Sequence, residues 1–371
     1  MLTTVSVLLF MPVAVHGAGV PQEVSRQLEK IYLSRRDLQQ CFRPDDWTAI
    51  PSSKAGSLAD LEDWARKYGY REYPDLLASY GPTGVDAAAP RISPTAGPLP
   101  LKPTAAAYGT VLKNGAAFDF GRLTARAVYV VDAASREVLL ARNSRDVRSL
   151  ASLTKLMTAA VALDRKFSLG RTMTLTQDDE VGGARLRVPV GSRLTNADLF
   201  NAMLVGSANN AAHAVARSVG LTVPEFVKAM NAKAAGLGLA STRFVDPTGI
   251  EAANVSTAED VAALGLEVFE KYYEIRRSAS TAACDVRLAG SVHHLTNTNE
   301  LLTDENNGLV VTGGKTGYLD ESKWNLVVRM QDYRRKPVVV VILGAETKQQ
   351  LFREAETAAK WVWDNYRWVK R

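Results

Sequence analysis

Ala151-Ser152-Leu153-Thr154-Lys155-Leu156-Met157-Thr158-Ala159-Ala160 carries a hydroxyl and an amine at the start of an apolar helix. Leu, Met and a run of Ala, without Gly or Pro, predict that helix and predict it buried. Ser152 falls near its start and Lys155 three residues on, so the two side chains share a helix face and can touch. A hydroxyl beside an amine suits a nucleophile and its base. The free N–H groups and positive dipole end of the helix offer a place for a developing oxyanion. A free lysine has a pKa of about 10.4, so at neutral pH only about one in 2,500 is the neutral base. Burial and a second cation nearby are the usual means of lowering it. If the pair is a catalytic centre, the chain must supply another lysine. Taken alone, this spacing equally describes a capping hydroxyl and a solvated amine.

Two further stretches meet that requirement. Ser207-Ala208-Asn209 follows the apolar helical run Leu199 to Val205, at a loop marked by Gly206-Ser207. Lys315-Thr316-Gly317 follows the predicted strand Leu309-Val310-Val311-Thr312, after Gly313-Gly314. Ser-x-x-Lys, Ser-x-Asn and Lys-Thr-Gly in this order form the motif set of the penicillin-recognising serine hydrolases. Each motif is common by itself; all three in order are specific.

The chain resembles the low-molecular-mass penicillin-binding proteins, the serine D-alanyl-D-alanine carboxypeptidases and endopeptidases. Phrases that carry the resemblance include Tyr129-Val130-Val131-Asp132, Arg185-Leu186-Arg187-Val188-Pro189-Val190-Gly191 and Phe244-Val245-Asp246-Pro247-Thr248-Gly249. Val255-Ser256-Thr257-Ala258-Glu259-Asp260 and Asn297-Thr298-Asn299-Glu300-Leu301-Leu302 match as well. The resemblance spans about Leu123 to Trp363 and takes in nothing before residue 108.

That resemblance implies a β-lactamase/transpeptidase-like mixed α/β fold, an antiparallel sheet with flanking helices and a helical subdomain. It also implies roles. Ser152 attacks a carbonyl and forms an acyl-enzyme, and Lys155 takes its proton. Lys315 is the second cation that depresses Lys155, and with Thr316 and Gly317 it holds the substrate and its terminal carboxylate. Ser207 shuttles a proton to the leaving amine, and Asn209 bonds the substrate amide or Lys155. The N–H groups of Ser152 and Tyr318 form the oxyanion hole. Arg353, in Phe352-Arg353-Glu354-Ala355-Glu356-Thr357, resembles a carboxylate-binding arginine of the family, with a helix-surface ion pair as the alternative. The substrates implied are peptidoglycan stem peptides and cross-links, with β-lactams as covalent inhibitors and no cofactor. Two departures from the family's commonest pattern stand out, and the Tyr of the second resembles the endopeptidase subgroup, which cuts D-alanyl bonds in cross-links. Asn210 stands where the carboxypeptidases often carry Asp, and Tyr318-Leu319-Asp320-Glu321-Ser322-Lys323 replaces a small-residue run.

The rest of the chain sets the context. At 371 residues, 46% hydrophobic and 23% charged, it reads as globular. A net charge of +6 is modest, and no aromatic-basic pattern points to nucleic acid. Residues 1–17 read as an export signal: Val5 to Val15 is apolar but too short to span a bilayer, and Val15 and Gly17 suit cleavage before Ala18. Its first residues lack the usual Lys or Arg. A periplasmic location follows from that reading, with no transmembrane anchor. Residues 18–86 form a charged extension with helical patterns at 22–41 and 57–68, either a docking module or a spacer. Residues 87–107 are an Ala/Pro-rich linker of polyproline character, which starts the peptidase domain at 108–371. Cys41 and Cys284 are too few for a disulfide framework, and the four His include no metal-ligand cluster. His213, in the middle of a predicted helix, reads as a packed or capping side chain.

Within 108–371, a hairpin of strands at 125–132 and 137–141 precedes the Ser152 helix. Short strands fill 171–195, and helices follow at 196–205, 208–219, 223–236 and 257–272. Strands at 325–330 and 337–343 and a closing helix at 347–366 complete the domain. Strands from both ends enclosing a helical block fit an antiparallel sheet covered by helices.

Three other functions compete. A carboxypeptidase releasing terminal D-alanine uses the same chemistry on uncross-linked stems. A β-lactamase needs a group that activates a deacylating water, and no matching Glu-containing loop stands between Asn209 and Lys315. A non-catalytic wall-binding protein would keep the motifs but show no covalent labelling.

Overall fold

A computed structural model describes residues 108–288, 291–303, 308–332 and 336–370. The expected export signal, the helices at 22–41 and 57–68, the linker and Cys41 lie outside the described residues. Any pairing of Cys41 with Cys284 lies outside them too.

The described chain opens with β1 (Tyr108–Leu112), β2 (Ala127–Asp132) and β3 (Val138–Arg142). The short strand β4 (Arg148–Ser149) leads through a 3₁₀ turn into α1 (Thr154–Asp164). A mainly helical block follows: β5 (Thr172–Thr174), β6 (Arg193–Thr195), α2 (Asn196–Leu204), α3 (Asn209–Arg217) and α4 (Val223–Gly236). It ends with β7 (Val255–Ser256), α5 (Ala258–Lys271) and α6 (Tyr273–Ala279). The chain returns through the hairpin β8 (Ala283–Leu288) and β9 (Ser291–Thr296), then β10 (Leu309–Leu319), β11 (Lys323–Asp332) and β12 (Val338–Ala345). It closes with α7 (Lys348–Asn365) and β13 (Tyr366–Lys370).

Local signals start these helices. Thr195 with Asp198, and Thr222 with Glu225, form capping boxes on α2 and α4. Thr257 caps α5 and Thr347 caps α7, each accepting a backbone N–H three residues on.

The main sheet has the order β10-β11-β12-β2-β3, antiparallel throughout. β12 lies at its centre, and all eight of its residues are buried. Alternation along the strands sends successive side chains to opposite faces. Val128, Val130, Leu326, Val328, Val340 and Ile342 face α7, which answers with Leu351, Ala355, Ala358, Ala359 and Val362 at helical spacing. Ala127, Val327, Val339, Val341 and Leu343 face the other way, into a core shared with α1, α2, α3 and α5. α5 crosses close to the sheet because Gly265 has no side chain; a Cβ there would lie 2.9 Å from Val327 Cγ2.

The expected architecture is present, with strands from both chain ends enclosing the helical block. The structure differs in detail from the sequence expectation. β10 does not stop at Thr312 but runs on to Leu319, so Lys315-Thr316-Gly317 lies inside a strand. Gly313 and Gly314 mark no turn there. A bulge falls between Val311 and Gly313, and a Cβ at Gly313 or Gly314 would lie 2.7 Å from Phe269 Cδ1 or Asn299 Nδ2. α6, β13 and the hairpin of β8 and β9, which carries His293 and His294, were not anticipated. β13 pairs with β1, and Trp368 Nε1 donates to Asp132 Oδ2 at 2.7 Å.

Candidate active site

The turn that carries Ser152 is wedged between two loops and a strand. Leu150 N–H donates to Asn254 O at 2.8 Å, and Asn325 Nδ2 donates to Ser149 O at 2.9 Å. Asn325 Oδ1 accepts from Gly344 N at 2.9 Å, so one buried side chain ties this turn to β11 and to the end of β12. Ala151 has a φ of 49°, a left-handed conformation held by these neighbours. Gly249, at φ 81°, presses on it so closely that a Cβ would lie 1.9 Å from Ala151 O. On the other side, a Cβ at Gly317 would lie 2.9 Å from Ser152 N. β10 is an edge strand of the sheet and runs directly beside the Ser152 turn.

Lys155 lies in the first turn of α1 and is 0% exposed. Its Nζ is 2.8 Å from Ser152 Oγ, 2.7 Å from Asn209 Oδ1 and 2.5 Å from Thr248 O. Asn209 Nδ2 donates to Gly182 O at 2.9 Å, which fixes the orientation of the amide and leaves Oδ1 facing the lysine. Asn209 Oδ1 and Thr248 O can only accept. A neutral Lys155 amine therefore spends its two N–H groups on them, and its lone pair is left for the Ser152 hydroxyl. Burial, and then the positive charge of Lys315, lower the Lys155 pKa well below the ordinary lysine value; Asp246 acts in the opposite sense.

Lys315 is 1% exposed, and its Nζ donates to Ser207 Oγ at 2.9 Å and to Thr316 O at 2.8 Å. Burial lowers its pKa to about 7. Ser207 has a φ of 59°, so its hydroxyl leaves the end of α2 in a left-handed turn rather than on a helix face. Thr316 Oγ1 donates to Thr298 Oγ1 at 2.6 Å.

The structure thus brings Ser152, Lys155, Ser207, Asn209, Lys315, Thr316 and Gly317 together. Tyr318 continues β10 and is 43% exposed; its ring lies on Trp324, with centroids 4.6 Å apart, and its hydroxyl donates to Asp320 Oδ1 at 2.6 Å. Arg353 makes no hydrogen bond or ion pair with these side chains, so its carboxylate-binding role stays an expectation. It is exposed on α7, whose buried side chains pack on the opposite face of the sheet from α1. His213 Nδ1 lies 3.0 Å from Oδ1 of the buried Asp179, whose Oδ2 accepts from Arg217 Nη2 at 2.8 Å.

A family model described as D-alanyl-D-alanine carboxypeptidase matches residues 114–347. The chain belongs to this family of serine D-alanyl-D-alanine peptidases. A D-alanyl-D-alanine endopeptidase of Pseudomonas aeruginosa is 35% identical over 244 residues, 65% of this chain and 77% of that protein. A D-alanyl-D-alanine carboxypeptidase of Bacillus subtilis is 30% identical over 233 residues, 61% of this chain and 59% of that protein. A solved mutant of a Streptomyces DD-transpeptidase superposes with a TM-score of 0.61 at 25% identity, covering 65% of this chain and 98% of the other.

In this family member, several site residues carried no assigned role in the sequence reading. Thr248 supplies a backbone carbonyl to Lys155, and Thr298 supplies a hydroxyl to Thr316. Both fall in phrases that resemble the family, Phe244 to Gly249 and Asn297 to Leu302. A backbone carbonyl leaves no mark on residue type, so only the resemblance pointed there. Asn210 does not enter the site. Its Oδ1 accepts from Leu186 N at 2.9 Å and its Nδ2 donates to Leu186 O at 3.0 Å, pinning the segment that begins at Arg185.

Proposed function

We propose that this peptidase is an exported D,D-endopeptidase that cuts D-alanyl bonds in peptidoglycan cross-links through an acyl-enzyme on Ser152. The supporting observation is the buried Lys155 amine, 2.8 Å from Ser152 Oγ with both of its other neighbours acceptors. That arrangement leaves a lone pair aimed at the nucleophile's proton.

Ser152 Oγ forms a bond to the carbonyl carbon as its proton moves to Lys155 Nζ. The carbonyl oxygen becomes an oxyanion at the Ser152 turn, where β10 approaches; N–H groups of Ser152 and Tyr318 are assigned to hold it. The C–N bond then breaks, and the proton is delivered to the leaving amine through Ser207, which Lys315 orients. Lys315 and Thr316 hold the substrate carboxylate. Water next attacks the acyl carbon, the bond to Ser152 breaks, and Ser152 regains its proton. A β-lactam opened by Ser152 forms the corresponding acyl-enzyme.

Identity to proteins named endopeptidases, together with Tyr318, favours the cross-link as substrate. The carboxypeptidase reading stays as the alternative because carboxypeptidases match the same domain. A substrate outside the cytoplasm requires export, which the apolar start of the chain supports. Among the described residues, no helix is long and apolar enough to cross a membrane.

The test is labelling of the full chain with a fluorescent penicillin beside Ser152→Ala. The wild type is expected to label and the variant to lose the label. Cross-linked and uncross-linked muropeptides then separate the two peptidase readings. An unlabelled, folded wild type would sink the acyl-enzyme.

A further inference from the structure

The acylation step described above converts Lys155 into an ammonium inside the protein, beside a second buried lysine. Such a charge needs a compensating group if the barrier is not to rise. The loop Asp246-Pro247-Thr248-Gly249 provides one. Asp246 Oδ1 accepts from Thr248 N at 2.6 Å, Thr248 Oγ1 at 2.6 Å and Gly249 N at 2.8 Å. Asp246 Oδ2 accepts from Glu251 N at 3.0 Å and from Asn254 Nδ2. Asn254, itself 0% exposed, returns its Oδ1 to the N–H of Val245 at 2.9 Å. The carboxylate therefore shapes the turn whose Thr248 carbonyl receives a Lys155 proton at 2.5 Å. Thr158 Oγ1, one helical turn beyond Lys155, donates to Pro247 O at 2.6 Å and locks the loop to α1.

We propose that Asp246 is a positioning residue for acylation: through the Thr248 carbonyl it aims the Lys155 amine at Ser152, and its charge stabilises the ammonium that Lys155 becomes. The logic is that of the carboxylate behind the base in a Ser-His-Asp triad, with a backbone carbonyl standing between. Two charged groups act on Lys155: Lys315 from β10 and Asp246 from this loop, with opposite signs. Asp246 stays ionised: burial would raise its pKa, but hydrogen bonds from Thr248 Oγ1 and from Thr248, Glu251 and Gly249 N–H outweigh burial and lower it.

This inference rests on the proposed acyl-enzyme at Ser152, and one experiment separates the two. Penicillin acylation rates are measured against pH for the wild type, Ser152→Ala and Asp246→Asn, with thermal unfolding of each. Asp246→Asn is expected to lower the rate roughly ten- to hundredfold at its plateau, less than the roughly 10²–10⁴-fold of a whole general-base contribution, because Lys155 itself remains. It is also expected to move the acidic limb of the profile to lower pH, because Lys155 loses the charge that favours its protonated form. A fall in plateau with an unmoved limb would leave Asp246 as a purely structural residue and overturn the proposal. So would a wild-type rate in the variant. Should Asp246→Asn fail to fold, Asp246→Glu decides. It keeps the charge but misfits the turn, so the limb stays at the wild-type pH while the plateau falls; a limb moved to lower pH would overturn the idea. Absence of labelling in the wild type would instead remove the acyl-enzyme reading beneath it.

Discussion

Lys155 and Lys315 are among the largest fully buried side chains of the described residues, and they are cations in their ordinary state. Burying them opposes folding, and the protein offsets this by letting them lose protons. The sign of the resulting pH dependence follows from linkage. Lys315 has a folded pKa of about 7, against an ordinary 10.5. Between those values the unfolded chain binds more protons, so stability rises with pH from about 7 toward 10.5. Below about 7 both states hold the proton, and this contribution stops changing. Lys155 is shifted in the same direction and adds to the same rise. Scanning calorimetry is expected to show a Tm that climbs from pH 7 to pH 9, less steeply in Lys315→Met. Equal slopes would mean that Lys315 titrates normally. The motif lysines were legible as residues in the sequence, whereas their burial was an inference from chemistry. Asp246 and the Thr248 carbonyl had no assigned role until the chain was folded.

At the scale of elements, the site is set by how closely helices and strands approach. α5 lies against β11 and β12 with Gly265 at the contact, and a Cβ there would meet Val327 Cγ2 at 2.9 Å and Val339 Cγ1 at 3.7 Å. Gly in a helix interior costs about 1 kcal/mol relative to Ala. Overpacking a tight core costs about 1–3 kcal/mol. The second effect exceeds the first where the opposing atom is a β-branched side chain with little freedom. Gly265→Ala is therefore expected to lower stability in urea unfolding, and Val327→Ala in the same chain to recover part of the loss through coupling between touching residues. A more stable Gly265→Ala would show that α5 is free to move away. The capped helices α2, α4, α5 and α7 were readable because caps and periodicity are local. The end of β10 was misread because glycines in a strand resemble a turn until the bulge and the pressing side chains of Phe269 and Asn299 are seen. β13 escaped because its partner, β1, lies at the other end of the domain.

For the whole molecule, both hydrophobic clusters are built from residues 123–363, on the two faces of one sheet. The β1/β13 ribbon then joins the two ends of the described chain. The segment 108–371 is expected to fold alone, unfold in one cooperative transition and take the penicillin label at the rate of the full chain. Loss of folding or a slower rate would give residues 18–107 a part in the peptidase itself. Removing 366–371 is expected to lower Tm, because it removes the Trp368 bond to Asp132 and the strand that covers β1, while labelling persists.

Residue types and spacings alone carried the motif set, the capped helices, the hairpin at 125–141 and a sheet covered by helices. These depend on residue type, spacing and short-range periodicity, which any stretch of chain carries with it. Tertiary packing alone placed two acceptors and a hydroxyl around Lys155, Lys-Thr-Gly on an edge strand, and the Asp246 carboxylate in the loop whose Thr248 carbonyl meets Lys155. Backbone carbonyls, close approaches and electrostatic coupling arise between segments far apart in the chain. They come into being only when packing brings those segments together and excludes the water that would otherwise screen them.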